Sequence, residues 1–118
     1  NEIGLYHVST TDTNATTYNG EYFQITFPFY LELSRIDIYM GDAGYLFREG
    51  VMLGSVDDGA TWEYITTIGN GSAVTAYDIS VVTSLKYKTF RVVITKAEPS
   101  QGRNYMLRTF KLFGDVYN

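Results

Sequence analysis

The sequence predicts an all-β domain, folded as an antiparallel β-sandwich or barrel. Three observations lead there. Apolar and polar residues alternate in several short runs, the two-residue period of strands with one buried face. Turn-forming residues interrupt these runs at near-regular spacing, as they do between the strands of sandwiches and barrels. No segment keeps apolar residues at i, i+3, i+4 and i+7 for three turns, so helix is expected at most as a single turn near Val81 to Leu85.

Taken in order, Asn1 to Gly20 is rich in Ser, Thr and Asn and carries little strand signal. From Tyr22 to Phe27, Phe23, Ile25 and Phe27 share one face, and Pro28, which has no N–H to give a ladder, is read as the end of that strand. Leu33 to Met40 repeats the alternation through Ile36, Ile38 and Met40, and Gly41 to Gly44 reads as a loop. Glu49 to Val56 and Trp62 to Ile68 form a hairpin around Asp57-Asp58-Gly59, where aspartates bond nearby backbone and glycine accepts positive φ. Gly69 to Ser72 is a turn, Val74 to Val81 a further strand, and in Phe90 to Thr95 the residues Phe90, Val92 and Ile94 face together. Ala97 to Arg103 is a polar loop, and a last strand, Tyr105 to Phe113, is expected to close at Gly114.

At 118 residues the chain is read as one domain, 1–118, with room for a real core. Apolar residues make up 45% and aromatics 16%, too many for a disordered chain. Nine Lys and Arg stand against thirteen Asp and Glu, a net charge of −4 spread without blocks, so neither nucleic acid nor an anionic membrane is an expected partner. The absence of cysteine excludes disulfides, thiolate catalysis and thiolate metal sites, and one histidine is too few for a multi-histidine centre. No apolar run approaches the roughly 18 residues of a membrane span, and no signal peptide is recognised at Asn1. The expectation is an excised domain, joined to further domains in its parent protein and without membrane insertion.

Several stretches resemble a known family. Ser55-Val56-Asp57-Asp58-Gly59-Ala60-Thr61-Trp62 is similar to the S-x-D-G-x-x-W hairpin of discoidin, or coagulation-factor type C, domains. In the same order along the chain, Gly20 to Ile25 resembles the family's G-E-W-I-Q-I strand, Lys88 to Val93 its A-R-Y-I-R-I strand, and Leu107 to Gly114 its closing L-R-E-x-E-x-Y-G. Gly41-Asp42 with Phe47 to Val51 is similar to the versions appended to bacterial hexosaminidases and hyaluronidase-like enzymes. The resemblance covers residues 20–114. It implies a galactose-binding-domain-like fold, an antiparallel β-sandwich of jelly-roll type, and a carbohydrate-binding module abbreviated at its N-terminus.

The family's calcium site is matched poorly. Residues 1–19 are too short for the whole ligating loop, and the carboxylate that ligates near the C-terminus falls at Thr109. Calcium wants six to eight oxygens including carboxylates, and Asp12 or Asp42 replaces those only in part. No cofactor is therefore assigned, and calcium is the one whose presence the departures argue against.

Sugar recognition needs an aromatic face for the C–H side of the ring and planar polar groups for adjacent hydroxyls. By the resemblance such groups sit in loops at one end of the sandwich. His7 lies near the position of a ligand-bonding histidine in bacterial members, against the plain account of a surface histidine without a role. Asp42 and Arg48 flank the glycine-rich loop and suit vicinal hydroxyls, although strand-edge charges are more often merely solvated. Tyr45 lies in the same region. Gln101, Arg103, Asn104 and Tyr105 form the densest group, with Tyr105 the candidate stacking ring or, equally, a half-buried strand residue. Trp62 is assigned to packing, and the remaining tyrosines, among them Tyr39, Tyr64, Tyr77 and Tyr87, to cross-strand surface or rim positions.

The expected function is non-catalytic binding of glycans, of galactose or N-acetylhexosamine type, in a secreted or surface protein such as a glycosidase. No Gly-x-Ser-x-Gly elbow and no compelling carboxylate pair supports an enzyme. The competing class is an assembly domain of an adhesin or fibre, in which an oligomer would bury Tyr39, Tyr64 and Tyr77. The chain lacks the apolar loop spikes and basic rim of a lipid binder.

Overall fold

In the computed structural model the described residues are 2–3, 9–39, 47–71, 76–97 and 109–118. They form strands β1 (Glu2–Ile3), β2 (Ser9–Thr11), β3 (Thr17–Asn19), β4 (Tyr22–Tyr39), β5 (Phe47–Ser55), β6 (Glu63–Gly69), β7 (Ala76–Ser80), β8 (Tyr87–Ala97) and β9 (Thr109–Tyr117). All pairings among them are antiparallel, and the fold is an all-β sandwich.

The 18-residue β4 joins the two layers. Its first part, Tyr22 to Thr26, pairs with β8, and β1 lies on its other side; the order β1-β4-β8-β5-β6 makes the larger layer. Its second part, Arg35 to Tyr39, lies between β7 and β9 and makes the smaller one. Pro28 does not end the strand as expected. It sits between Thr26 and Leu31, where pairing with β8 lapses, so the missing N–H leaves no ladder bond unmade.

Alternation places the core between the layers. Leu33, Ile36 and Ile38 of β4, Met52 of β5, Ile68 of β6 and Phe90, Val92 and Ile94 of β8 are buried together there. Phe23 meets Phe110 of β9 edge to face, with centroids 4.9 Å apart, so the layers touch through aromatic rings as well as aliphatic ones.

A second cluster lies on the outer face of the larger layer. Val51, Leu53, Trp62 and Val93 are buried there, with Tyr18 and Tyr22 packed on them. The cover is the β2–β3 hairpin, which carries almost no apolar alternation because it turns only Thr10, Asp12 and Tyr18 toward the sheet. Trp62 is packed as expected, at 6% exposure.

Residues 81–86 hold no helical turn, within the expectation of at most one; Thr83 Oγ1 accepts the Leu85 N–H at 3.1 Å, and the Val82 side chain stands in solvent. Two further expectations change. Gly114 does not close the last strand, which pairs with β4 as far as Tyr117. Tyr77 and Tyr87 are core residues, 8% and 1% exposed, because each buried hydroxyl finds an acceptor: the Arg48 carbonyl at 3.3 Å and Glu63 Oε1 at 2.8 Å. No helix among the described residues is long and apolar enough to cross a membrane.

Candidate functional site

Antiparallel pairing brings many strand ends to one end of the sandwich. Tyr39 at the end of β4 stands opposite Thr109 at the start of β9 and Ala76 at the start of β7. In the other layer Phe47 stands opposite Ala97, and Glu49 opposite both Lys96 and Gly69. The loops singled out in the sequence leave from these ends.

Arg48 is the described member of the sequence-predicted site. It is half-buried on β5, and its carbonyl accepts the Gly71 N–H at 3.2 Å as well as the Tyr77 hydroxyl. These bonds tie the turn after β6 to β5 and to β7. Beside it the Lys96 ammonium lies 3.7 Å from Glu49 Oε2, and Thr95 Oγ1 donates to the Glu49 carbonyl at 3.2 Å. Burial raises the Tyr77 hydroxyl above the ordinary tyrosine value, so it stays a donor at neutral pH. The rim thus carries a cation and a carboxylate, Lys96 and Glu49, of the kinds that bond sugar hydroxyls, while the Tyr77 hydroxyl is buried beneath it. His7, Asp42, Tyr45, Gln101, Arg103, Asn104 and Tyr105 lie outside the described residues.

The Ser55 to Trp62 stretch is architectural. Ser55 Oγ donates to Asp57 Oδ1 at 2.7 Å and accepts the Gly59 N–H at 2.8 Å; the Asp57 carboxylate then takes the Thr61 N–H and hydroxyl. Asp58 and Gly59 turn the chain at φ of 57° and 87°, laying Gly59 against the indole of Trp62. The first aspartate and the serine hold the loop, the second aspartate and the glycine bend it, and the tryptophan is its floor.

Arg91 was not read from the sequence as a key residue. Its guanidinium stands 3.6 Å from the Tyr22 ring centroid and 4.5 Å from that of Trp62, and donates to Gln24 Oε1 and Thr10 Oγ1, each at 2.9 Å. Gln24 stands opposite Arg91 in the register, while Thr10 comes from the separate hairpin and Trp62 from the loop before β6, so no short motif marks the four together.

Asp12 does not fit a calcium ligand. Its Oδ1 accepts the Asn14 and Thr16 N–H groups at 2.9 and 3.0 Å, and its Oδ2 the Tyr18 hydroxyl at 2.8 Å. Burial pushes this carboxyl up, but the three hydrogen bonds outweigh it and hold it below the ordinary value. Three of its roughly four acceptor positions are thus committed to closing the hairpin turn. Among the described residues no three His, Cys, Asp or Glu side chains gather where a metal ion would sit.

No known family profile and no curated protein matches the chain. Two solved structures share its fold. One is the C-terminal domain of a chitobiase from Bacteroides fragilis, 20% identical with a TM-score of 0.66 over 83% of this chain. The other is a fragment assigned to a chitobiase from Bacteroides thetaiotaomicron, 17% identical with a TM-score of 0.67 over 83% of this chain. The chain spans 65% and 62% of those structures, and at these identities the likeness establishes the β-sandwich fold.

Proposed function

We propose that the chain is a non-catalytic glycan-binding module of a larger secreted or surface protein such as a glycosidase, a discoidin-like jelly roll for terminal galactose or N-acetylhexosamine. The observation that carries the proposal is the fold it shares with the C-terminal domain of a chitobiase. The convergence of Tyr39, Phe47, Gly69, Ala97 and Thr109 at one end supports a site among the loops that join them. In this reading His7, Asp42, Tyr45, Arg48, Gln101, Arg103, Asn104 and Tyr105 supply it, with Tyr105 as the stacking ring.

The module performs no bond-breaking step. It holds a sugar and keeps an attached domain near its substrate. Each hydroxyl must exchange water for a protein partner, so affinity per site is weak, and neighbouring modules raise it through avidity. A glycan array read with the wild type and Tyr105→Ala, with and without a calcium chelator, tests the proposal. Binding to terminal galactose or hexosamine that the substitution abolishes supports it. Silence across the array from a folded domain refutes it.

A further inference from the structure

The outer face of the larger layer carries two cross-strand rows. Tyr64, Leu53, Arg91 and Gln24 form one, and Thr67, Val51, Val93 and Tyr22 the other. The ladder shifts between Met52 and Leu53, opposite Ile65, and that irregularity brings Tyr64 and Thr67, three residues apart, onto one face. The β2–β3 hairpin covers the middle of both rows, with Tyr18 on the aliphatic residues and Thr10 on Arg91. At the β6 rim Tyr64 remains 45% exposed, and Thr67 is exposed beside it.

The Tyr64 ring is held. Its hydroxyl lies 2.7 Å from Thr67 Oγ1, so an exposed aromatic plane is fixed on the sheet, and less ordering remains to be done when a ligand lands on it. The charged side chains of this face are engaged elsewhere, Arg91 under the hairpin and Glu49 with Lys96. The exposed residues of the neighbouring hairpin strands are Ser9, Thr11, Thr17 and Asn19. The charged member of β6, Glu63, accepts the Tyr87 hydroxyl, and Asp12 is buried under its own turn. An exposed aromatic plane with a threonine hydroxyl beside it matches a ligand with an apolar ring face and hydroxyl edges.

We propose that Tyr64 and Thr67 form a second saccharide contact, on the flank of the sandwich, which takes an inner unit of a glycan chain. The proposal rests on the glycan-binding reading above and adds a place outside the loop end. Tyr64 supplies the stacking plane. Thr67 orients it and shares its hydroxyl with the sugar.

The test compares wild type, Tyr64→Ala and Thr67→Val in titrations with N-acetylglucosamine and galactose, and with the hexamer of β-1,4-linked N-acetylglucosamine and a neutral galactan fragment. Amide shifts are followed, and thermal melts confirm folding. The expected result is that only the oligosaccharides shift the amides of β6, that Tyr64→Ala weakens their binding roughly tenfold, and that it leaves monosaccharide binding unchanged. Thr67→Val, which frees the ring without removing it, should weaken them several-fold. Equal oligosaccharide affinity in Tyr64→Ala and wild type overturns this second contact alone. A wild type that binds none of the sugars removes the glycan reading and this contact with it. A wild-type dimer that Tyr64→Ala dissociates also overturns it, by showing the face to be a contact between copies.

Discussion

The ring of Tyr87 rests on Gly54: a Cβ built at that glycine would stand 2.6 Å from the Tyr87 Cγ. The two residues lie on neighbouring strands, and the space a side chain would fill on β5 is occupied by a ring from β8. Gly54→Ala should therefore destabilise the domain by about 1–3 kcal/mol through overpacking, since backbone or ring must move. Tyr87→Phe keeps the ring and loses the bond to Glu63, and should cost about 1 kcal/mol. Urea midpoints measure both. A Gly54→Ala protein as stable as wild type would show that the ring has room to retreat.

Trp62 and Arg91 hold the hairpin to the sheet as one unit. Trp62→Ala should cost about 3–5 kcal/mol, because it opens a cavity under the Gly59 turn and removes one ring from the guanidinium. Arg91→Met should cost about 1–2 kcal/mol for the lost cation–ring contacts and hydrogen bonds. Because the side chains touch, the double substitution should cost less than the sum. Strict additivity in a double-mutant cycle would remove the coupling claimed here.

Strand alternation made most of the fold legible. Phe23, Ile36, Ile38, Phe90 and Val92 all face inward as their spacing implied, and the Asp57 turn stands where its residue types put it. What escaped depends on partners distant in sequence. Pro28 reads as a stop because a ladder bond is assumed at every residue, yet β4 has none to lose there as it passes between layers. Tyr77 and Tyr87 read as surface residues because a buried hydroxyl needs an acceptor that no local pattern reveals. The strands of the N-terminal hairpin were invisible for a related reason, since one inward side chain per turn of pleat is too little apolar signal when that residue is Thr10 or Asp12. Of the candidate site, the sequence marked loops, and the register then showed that the flanking strand ends share one end of the molecule.

The Lys96 and Glu49 pair at that end should matter little for stability. The lysine side chain is 60% exposed and the separation is 3.7 Å, so solvent and salt screen the attraction. Lys96→Met should change stability by no more than about 0.5 kcal/mol, with that difference fading in high salt. A larger loss, persistent at high salt, would mean that the pair supports the rim structurally.

At alkaline pH the buried phenols set the limit. Burial, then the bond to Asp12, pushes the Tyr18 hydroxyl from 10.0 up to about 12. Burial also raises Tyr77, burial with Glu63 raises Tyr87, and Glu32 raises Tyr117. A raised folded-state value means that the native fold holds the proton more tightly than the unfolded chain. The stability this gives is whole below the unfolded value near 10 and is lost as pH climbs through the folded values. Phenolate absorbance should show an early class of tyrosines and a late class that titrates together with unfolding. All eleven tyrosines ionising together near pH 10 in a folded protein would contradict this.

At acid pH the sign reverses. The N–H and hydroxyl of Thr61 and the Ser55 hydroxyl hold the Asp57 carboxyl below its ordinary value, and the turn bonds hold Asp12 there against its burial. A lowered folded-state value means that the unfolded chain takes up protons first. The stability from these two carboxylates is present above the unfolded value, about pH 4, and is lost as pH falls through the folded ones. Both turns buttress the cluster around Trp62, so its fluorescence should report the loss. Asp57→Asn and Asp12→Asn should each lower stability at neutral pH, because an amide cannot accept at both positions, and each should flatten the fall between about pH 4 and pH 2. If both variants keep the full acid dependence of the wild type, other carboxylates control it and the two turns are not its origin.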